Sequence, residues 1–203
     1  MSAPDLRSAP PEFVTALAAI RHAEVRPEIS LTEIPAPARL APFAVALSAE
    51  VMESPDAQRL DIGAASESEL ATGRFILLHD PAGSPMWGGE FRIVTYIRAQ
   101  LEAEMGNDEL LGSVAWTWLL DALDEHKTSY KNAGGTATRV LSQSFGTLAD
   151  RSDGIDIELR ASWTPPGPNV QEHLEAWSTM VCTFAGLPPL PEGVSAIPRR
   201  RLS

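Results

Sequence analysis

His79 and Asp80 stand side by side in the stretch LLHDPAGSPMWGGEFRIVTYI, residues 77–97, and Glu90, Arg92 and Tyr96 follow in the same run. An imidazole beside carboxylates, with a guanidinium and a phenol close by, is the raw material of general acid–base catalysis, provided the groups meet in one shaped pocket. Neighbouring residues of a strand point to opposite faces, so His79 and Asp80 enter one pocket only if the strand has already ended. Asp80 before Pro81 also reads as a turn initiator. These five residues are the candidate catalytic group, with turn chemistry as the competing explanation of their look.

Other chemistries find less to work with. The histidines are His22, His79, His126 and His173, with no pair at the i, i+4 spacing that puts two ligands on one helix face, so no metal site is expected. No G-x-S-x-G elbow occurs. Ser84 sits among turn residues, and Cys182 lies between Met180, Val181 and Phe184, where an inert buried thiol is expected. Neither Gly88-Gly89 nor Gly134-Gly135 is followed by Lys-Ser/Thr, so neither forms a phosphate loop; each pair is expected to supply positive φ at the mouth of a strand. No cofactor is implied.

The aromatic residues offer contact rather than catalysis. Met86 and Trp87 occupy a Gly/Pro-rich hairpin tip, where a large apolar side chain is hard to bury and an interface anchor is a natural reading. Trp116 and Trp118 are about 200° apart around a helix, so they cannot both face one sheet. Trp118 shares the apolar face of its helix and is expected in the core; Trp116 packs against another element or lies on a binding face. Met86, Trp87 and Trp116 are the binding candidates.

The elements that must position these residues follow from periodicity. Phe13, Leu17 and Ile20 recur at helical spacing after Pro10-Pro11, and Pro27 closes that helix. Residues 28–34 suit a short edge strand, and 44–51 alternate as a half-buried strand. GRFILLHD and EFRIVTYIRAQL are strands joined by the hairpin loop PAGSPMWGG. A helix capped by Asn107 or Asp108 carries a wide apolar face of Leu110, Leu111, Val114, Ala115, Trp118, Leu119 and Ala122, and Asn132, Gly134 and Gly135 turn the chain out of it. Strands at about 136–147 and 154–163 come next. In the second, Ile155, Ile157 and Leu159 alternate with Asp156, Glu158 and Arg160, which predicts one dry face and one wet face. The last helix is NVQEHLEAWSTMVCTF, stopped by Gly186. The order is α-β-β-β-β-α-β-β-α. Short turns pair strands antiparallel, so the expected fold is α+β: one domain at 12–187, with about six mainly antiparallel strands covered by three helices. A disordered arm is expected at 1–11 and a Pro-rich, Arg-ended tail at 188–203.

Charge and composition narrow the class. The formal net charge is −11, and subtracting the three positive charges of Arg199, Arg200 and Arg201 leaves −14 on the rest. Such a body repels phosphate backbones and anionic membranes, so nucleic acid is disfavoured as a partner of the folded part. One cysteine in 203 residues permits no intrachain disulfide, and no run reaches the length of a membrane span. With no signal peptide visible at the N-terminus, the chain reads as cytoplasmic.

Several stretches, "LAPFAVALSAEV", "ATGRFILLHDPAG", "FRIVTYIRAQLE", "VAWTWLLDAL", "ASWTP" and "HLEAWSTMVCTFAGLPPLPEGV", together resemble an actinobacterial family known only as a domain of unknown function. The resemblance covers about residues 12–195 and brings no assigned catalytic or binding residue. It implies a frequent gene neighbour, a ribonuclease D-like exonuclease, and hence an accessory role in RNA metabolism as one reading. The element order is also similar to bacterial secretion-chaperone folds, from which the strand at 90–98 departs.

The leading expectation is a non-enzymatic protein-binding or regulatory module with an acidic surface, chaperone-like or held by another protein. The alternative from a different class is an enzyme for a small molecule, with a site assembled across the sheet around His79. Nothing in the sequence separates a homodimer from a monomer.

Overall fold

A computed structural model describes residues 9–52, 69–101, 109–150 and 154–187. Residues 53–68, which include Glu53, Asp56, Asp61 and Glu67, the capping pair Asn107–Asp108, most of the N-terminal arm and the tail with Arg199–Arg201 lie outside the described residues. The elements are α1 (Pro11–His22), β1 (Ile29–Ile34), β2 (Phe43–Met52), β3 (Glu69–Ser84), β4 (Gly89–Leu101), α2 (Leu111–Glu125), β5 (Lys131–Ser142), β6 (Gly154–Thr164) and α3 (Gln171–Phe184). The order and the α+β class match the sequence expectation.

The six strands form one antiparallel sheet in the order β1-β2-β3-β4-β6-β5. Strands β4 and β5 run in the same direction with β6 between them, and α2 makes the crossover. Three apolar alternations set the faces. Phe75 and Leu77 of β3, Ile93 and Ile97 of β4, and Ile157, Leu159 and Trp163 of β6 all point to one side, where they are buried. The intervening Arg74, Ile76, Val94, Tyr96, Glu158 and Arg160 point to the other. The described helices all lie on the first side. Phe13 of α1 stacks near His79, Trp116 of α2 lies over Gly135, and Trp177 of α3 lies over Gly73. The second face of the sheet carries no helix among the described residues.

Helix α3 sits closest to the sheet because Gly73 has no side chain. A Cβ at Gly73 would come within 2.7 Å of Trp177 Cζ2. The Trp177 indole N–H donates to Thr95 Oγ1, and that hydroxyl donates to the Arg74 carbonyl at 3.0 Å. A second buried polar pair closes the far end of the helix layer, where Trp163 Nε1–H donates to His173 Nδ1 at 3.1 Å. Gly186, with φ +73°, ends α3, and the Leu187 N–H turns back to the Cys182 carbonyl at 3.0 Å.

Two local expectations change. Helix α2 begins at Leu111 with Leu110 as its cap residue, not at Asn107 or Asp108. Gly134 and Gly135 are strand residues inside β5 and not a turn, and the positive φ at this end belongs to Asn132 (53°). Gly135 is needed for space: a Cβ there would meet the Arg160 carbonyl at 2.6 Å and the Trp116 ring at 3.0 Å. Gly88, by contrast, does have positive φ, at 70°.

Two predictions test this packing. Gly73→Ala pushes a methyl group into a rigid indole and is expected to cost about 1–3 kcal/mol, read as a lower urea midpoint at unchanged m. Burial lowers the His173 pKa from 6.5 to about 4, against a smaller opposing pull from Glu172. The unfolded chain therefore takes up the proton first. The stability from neutral His173 is complete above pH 6.5 and falls as pH drops toward 4, by about 3 kcal/mol in all. Urea titrations at successive pH values should show this loss in the wild type beyond that of His173→Gln; equal slopes for the two proteins would remove the assignment.

Candidate functional site

The sequence candidates divide between the two faces of the sheet. His79 points into the helix layer and is fully buried. Its ring stacks on Phe91 at 4.2 Å between centroids and lies parallel to Phe13 at 5.8 Å, with Phe43 at 6.1 Å. Neither ring nitrogen has a hydrogen-bonding partner among the described residues. Asp80 turns the other way, and its Oδ1 accepts from the Ala82 N–H at 3.0 Å, an Asx-type turn. Glu90 is exposed. Arg92 and Tyr96 both stand on the helix-free face. Arg92 and Tyr96 are four residues apart along β4 with Val94 between them, so the structure gathers none of the five into one site and leaves His79 on the opposite side of the sheet.

The binding candidates also separate. Met86 is 90% exposed at the hairpin tip. Trp87 is half-buried, and its carbonyl accepts from Asn132 Nδ2 at 2.8 Å and from Thr164 Oγ1 at 2.7 Å, which ties the β3–β4 hairpin to the far edge of the sheet. Trp116 is half-buried against Gly135, while Trp118 meets the Phe184 ring edge-on at 5.3 Å. The two tryptophans divide as the helix angle requires, one to the edge strand and one to α3.

On the helix-free face the strand register builds a row that sequence reasoning did not assemble. Thr32, Ser48, Arg74, Tyr96, Arg160 and Thr136 lie opposite one another across β1, β2, β3, β4, β6 and β5. The next row is Ile34, Ala46, Ile76, Val94, Ser162 and Gly134. Arg160 lies over the Tyr96 ring at 5.4 Å and pairs with Glu158 at 2.8 Å, and Arg98 pairs with Asp156 at 2.8 Å. Tyr96 is pushed above its usual pKa, first by burial and then by its hydrogen bond to Glu158. Arg92 is held by neutral oxygens: Ser162 Oγ at 2.7 Å, and Thr164 Oγ1 and the Asn132 carbonyl at 2.9 Å each. Burial alone lowers its pKa. The signal for this row was the wet alternation of residues 156–160, but placing it needed the strand order.

Among the described residues no three His, Cys, Asp or Glu side chains are grouped to hold a metal ion. None of the described helices is long and apolar enough to cross a membrane. The architecture defines the class: an antiparallel sheet with helices on one face and a row of arginine and tyrosine on the other. Within that class, the chain belongs to the family described as "Protein of unknown function (DUF3000)", which it matches over residues 9–195. Comparison with curated proteins and with solved structures finds no match.

The environment of His79 sets a direct test. A buried imidazole with no partner loses about 1–3 kcal/mol of hydration that nothing replaces. His79→Leu keeps an apolar side chain against Phe13, Phe43 and Phe91, and should leave the melting temperature unchanged or higher. A fall worth more than about 2 kcal/mol would show that the imidazole has a polar role in the fold.

Proposed function

We propose that the chain is a non-enzymatic protein-binding module that holds an extended segment of its partner along the outer edge of β5, which pairs with no further strand among the described residues. The carrying observation is that edge itself. β5 runs for 12 residues at the end of the sheet and is exposed over most of its length. Val140 and Leu141 within it, the latter 60% exposed, continue into Phe145, 77% exposed, and Leu148. Leu110 and Val114, also exposed, stand in the first turn of α2, whose Gly112 lies over Ala137 of β5.

An edge strand offers unpaired N–H and C=O groups, and proteins ordinarily shield it with shortness, proline or charge. The opposite edge, β1, is shielded: it has six residues and lies between Pro27 and Pro35. β5 is neither short nor flanked by proline; its charges are Lys131 and Arg139, and apolar side chains gather at its end. That combination suits strand addition, in which main-chain hydrogen bonds give affinity and side-chain contacts give specificity. The net charge of −11 favours a partner with a basic surface. The chain has a single cysteine, Cys182, which is buried and forms no intrachain disulfide, and this supports a cytoplasmic location for the proposed module. An acid–base enzyme would need His79, Asp80, Glu90, Arg92 and Tyr96 in one pocket, and their division between two faces weighs toward binding.

The test begins with affinity capture from native lysate and goes on to the purified pair. The Leu141→Lys/Phe145→Lys double variant should weaken binding of the recovered partner at least tenfold, and Trp87→Ala much less. Amide exchange over residues 131–142 should slow in the complex. No stoichiometric partner, or a partner held equally by the double variant, would overturn the proposal.

A further inference from the structure

The geometry points to a binding site for a small organic anion on the helix-free face of the sheet, distinct from the strand-pairing edge of β5 although Gly134 of that strand borders it. A cavity of about 630 Å³ opens there, lined by Arg74, Ile76, Val94, Tyr96, Arg160 and Ser162, with Gly134 and Gly135 at its margin. This is the size of ordinary small-ligand sites. The two register rows divide it chemically. The row of Arg74, Tyr96 and Arg160 is cationic and aromatic, and the row of Ile76 and Val94 is apolar.

The charged side chains that line the cavity are Arg74 and Arg160; the carboxylates on this face, among them Glu50, Asp156 and Glu158, stand outside the lining. Arg160 has Glu158 and Arg98 has Asp156. Arg74 makes no ion pair or side-chain hydrogen bond among the described residues, although it stands directly opposite Tyr96 and next but one to Arg160. Arg92, at the far side of Val94, is satisfied by three neutral oxygens and pairs with no carboxylate among the described residues. An arginine fork is complementary to the two oxygens of a carboxylate or phosphate. The anionic group of the ligand is therefore received by Arg74, with Arg160 beside it, and its apolar body lies over Ile76 and Val94.

The space for that body depends on β5. Gly134 pairs with Ser162, and a Cβ built on it meets nothing within 4 Å, so this position opens the cavity. Its backbone is not in the positive-φ region, so a larger residue fits the strand without strain. Gly134→Val fills the cavity from one wall and leaves every arginine in place.

Phenyl phosphate is a suitable probe, with inorganic phosphate and phenol as its two halves, followed by amide and side-chain chemical shifts in NMR titration. The expected result is saturable binding of phenyl phosphate with shifts at Arg74, Ile76, Val94 and Tyr96. Either half alone should bind at least tenfold more weakly. Arg74→Gln and Gly134→Val should each weaken phenyl phosphate at least tenfold, with both variants melting within a few degrees of the wild type. Benzoate in place of phenyl phosphate separates the two headgroups, and tighter binding of either names the preferred one. Overturning results are absence of saturation by either aryl anion, shifts outside this face, or full affinity in Arg74→Gln. Inorganic phosphate binding as tightly as phenyl phosphate would likewise end the assignment, since the apolar row would then contribute nothing. A variant that fails to melt cooperatively is replaced by Gly134→Ala or Arg74→Lys, for which a graded loss is expected and unchanged affinity counts against the site.

Discussion

The seat of Trp177 on Gly73 determines where everything else lies. The indole reaches the sheet because position 73 offers no Cβ, and its N–H finds Thr95 Oγ1 at the centre of β4. A buried indole N–H without an acceptor would be costly, and so would a buried threonine hydroxyl without one. Here one chain of two hydrogen bonds satisfies both and ends on the Arg74 carbonyl. Helix α3 is then fixed against β3 and β4, and the other helices take their places from it. Trp118 of α2 meets Phe184, and the Glu24 N–H just beyond α1 donates to the Glu175 carboxylate at 2.9 Å. The contact that sets the helix layer also holds the backbone of the residue whose side chain projects from the opposite face.

The helix layer treats its polar groups unequally. Trp163 and His173 satisfy each other in the dry interior, and the cost is a histidine that must stay neutral. His79 has rings on three sides and no polar partner among the described residues. Imidazole here serves as a flat ring between Phe91 and Phe13. Such a group contributes shape and contact but no hydrogen bond, and an apolar residue of similar volume would serve the packing as well.

The strands and their faces were largely legible in the sequence because alternation is a local property. Residues 155–160 announced a dry and a wet side, and the structure keeps that division across the sheet. Register was legible only within hairpins. β6 enters between β4 and β5, so the meeting of Tyr96 with Arg160 spans 64 positions of sequence with a helix and a strand between, and no local pattern specifies it. Arg74 drew no notice for the same reason: a lone arginine in an apolar strand reads as a solvated edge until its cross-strand neighbours are known. The glycines misled in a different way. Gly134-Gly135 looked like a turn, yet these positions serve close packing and open space, and Gly73, which the helix layer depends on, stands in the sequence with no distinguishing neighbour.

The chain is acidic as a whole and basic at one place, and these facts act at different distances. Interactions between exposed charges fade beyond roughly 8 Å at physiological ionic strength. A long polyanion lies across many such lengths and meets the summed repulsion of a body at −11. A small anion over Ile76 and Val94 meets Arg74 and Arg160 within a few ångströms, with Glu158 already engaged by Arg160. The apolar row adds a preference, because an anion without a hydrophobic body gains nothing from it. Global charge and local register thus act on the proposed ligand together, one over distance and the other through the amphipathic division of the two rows.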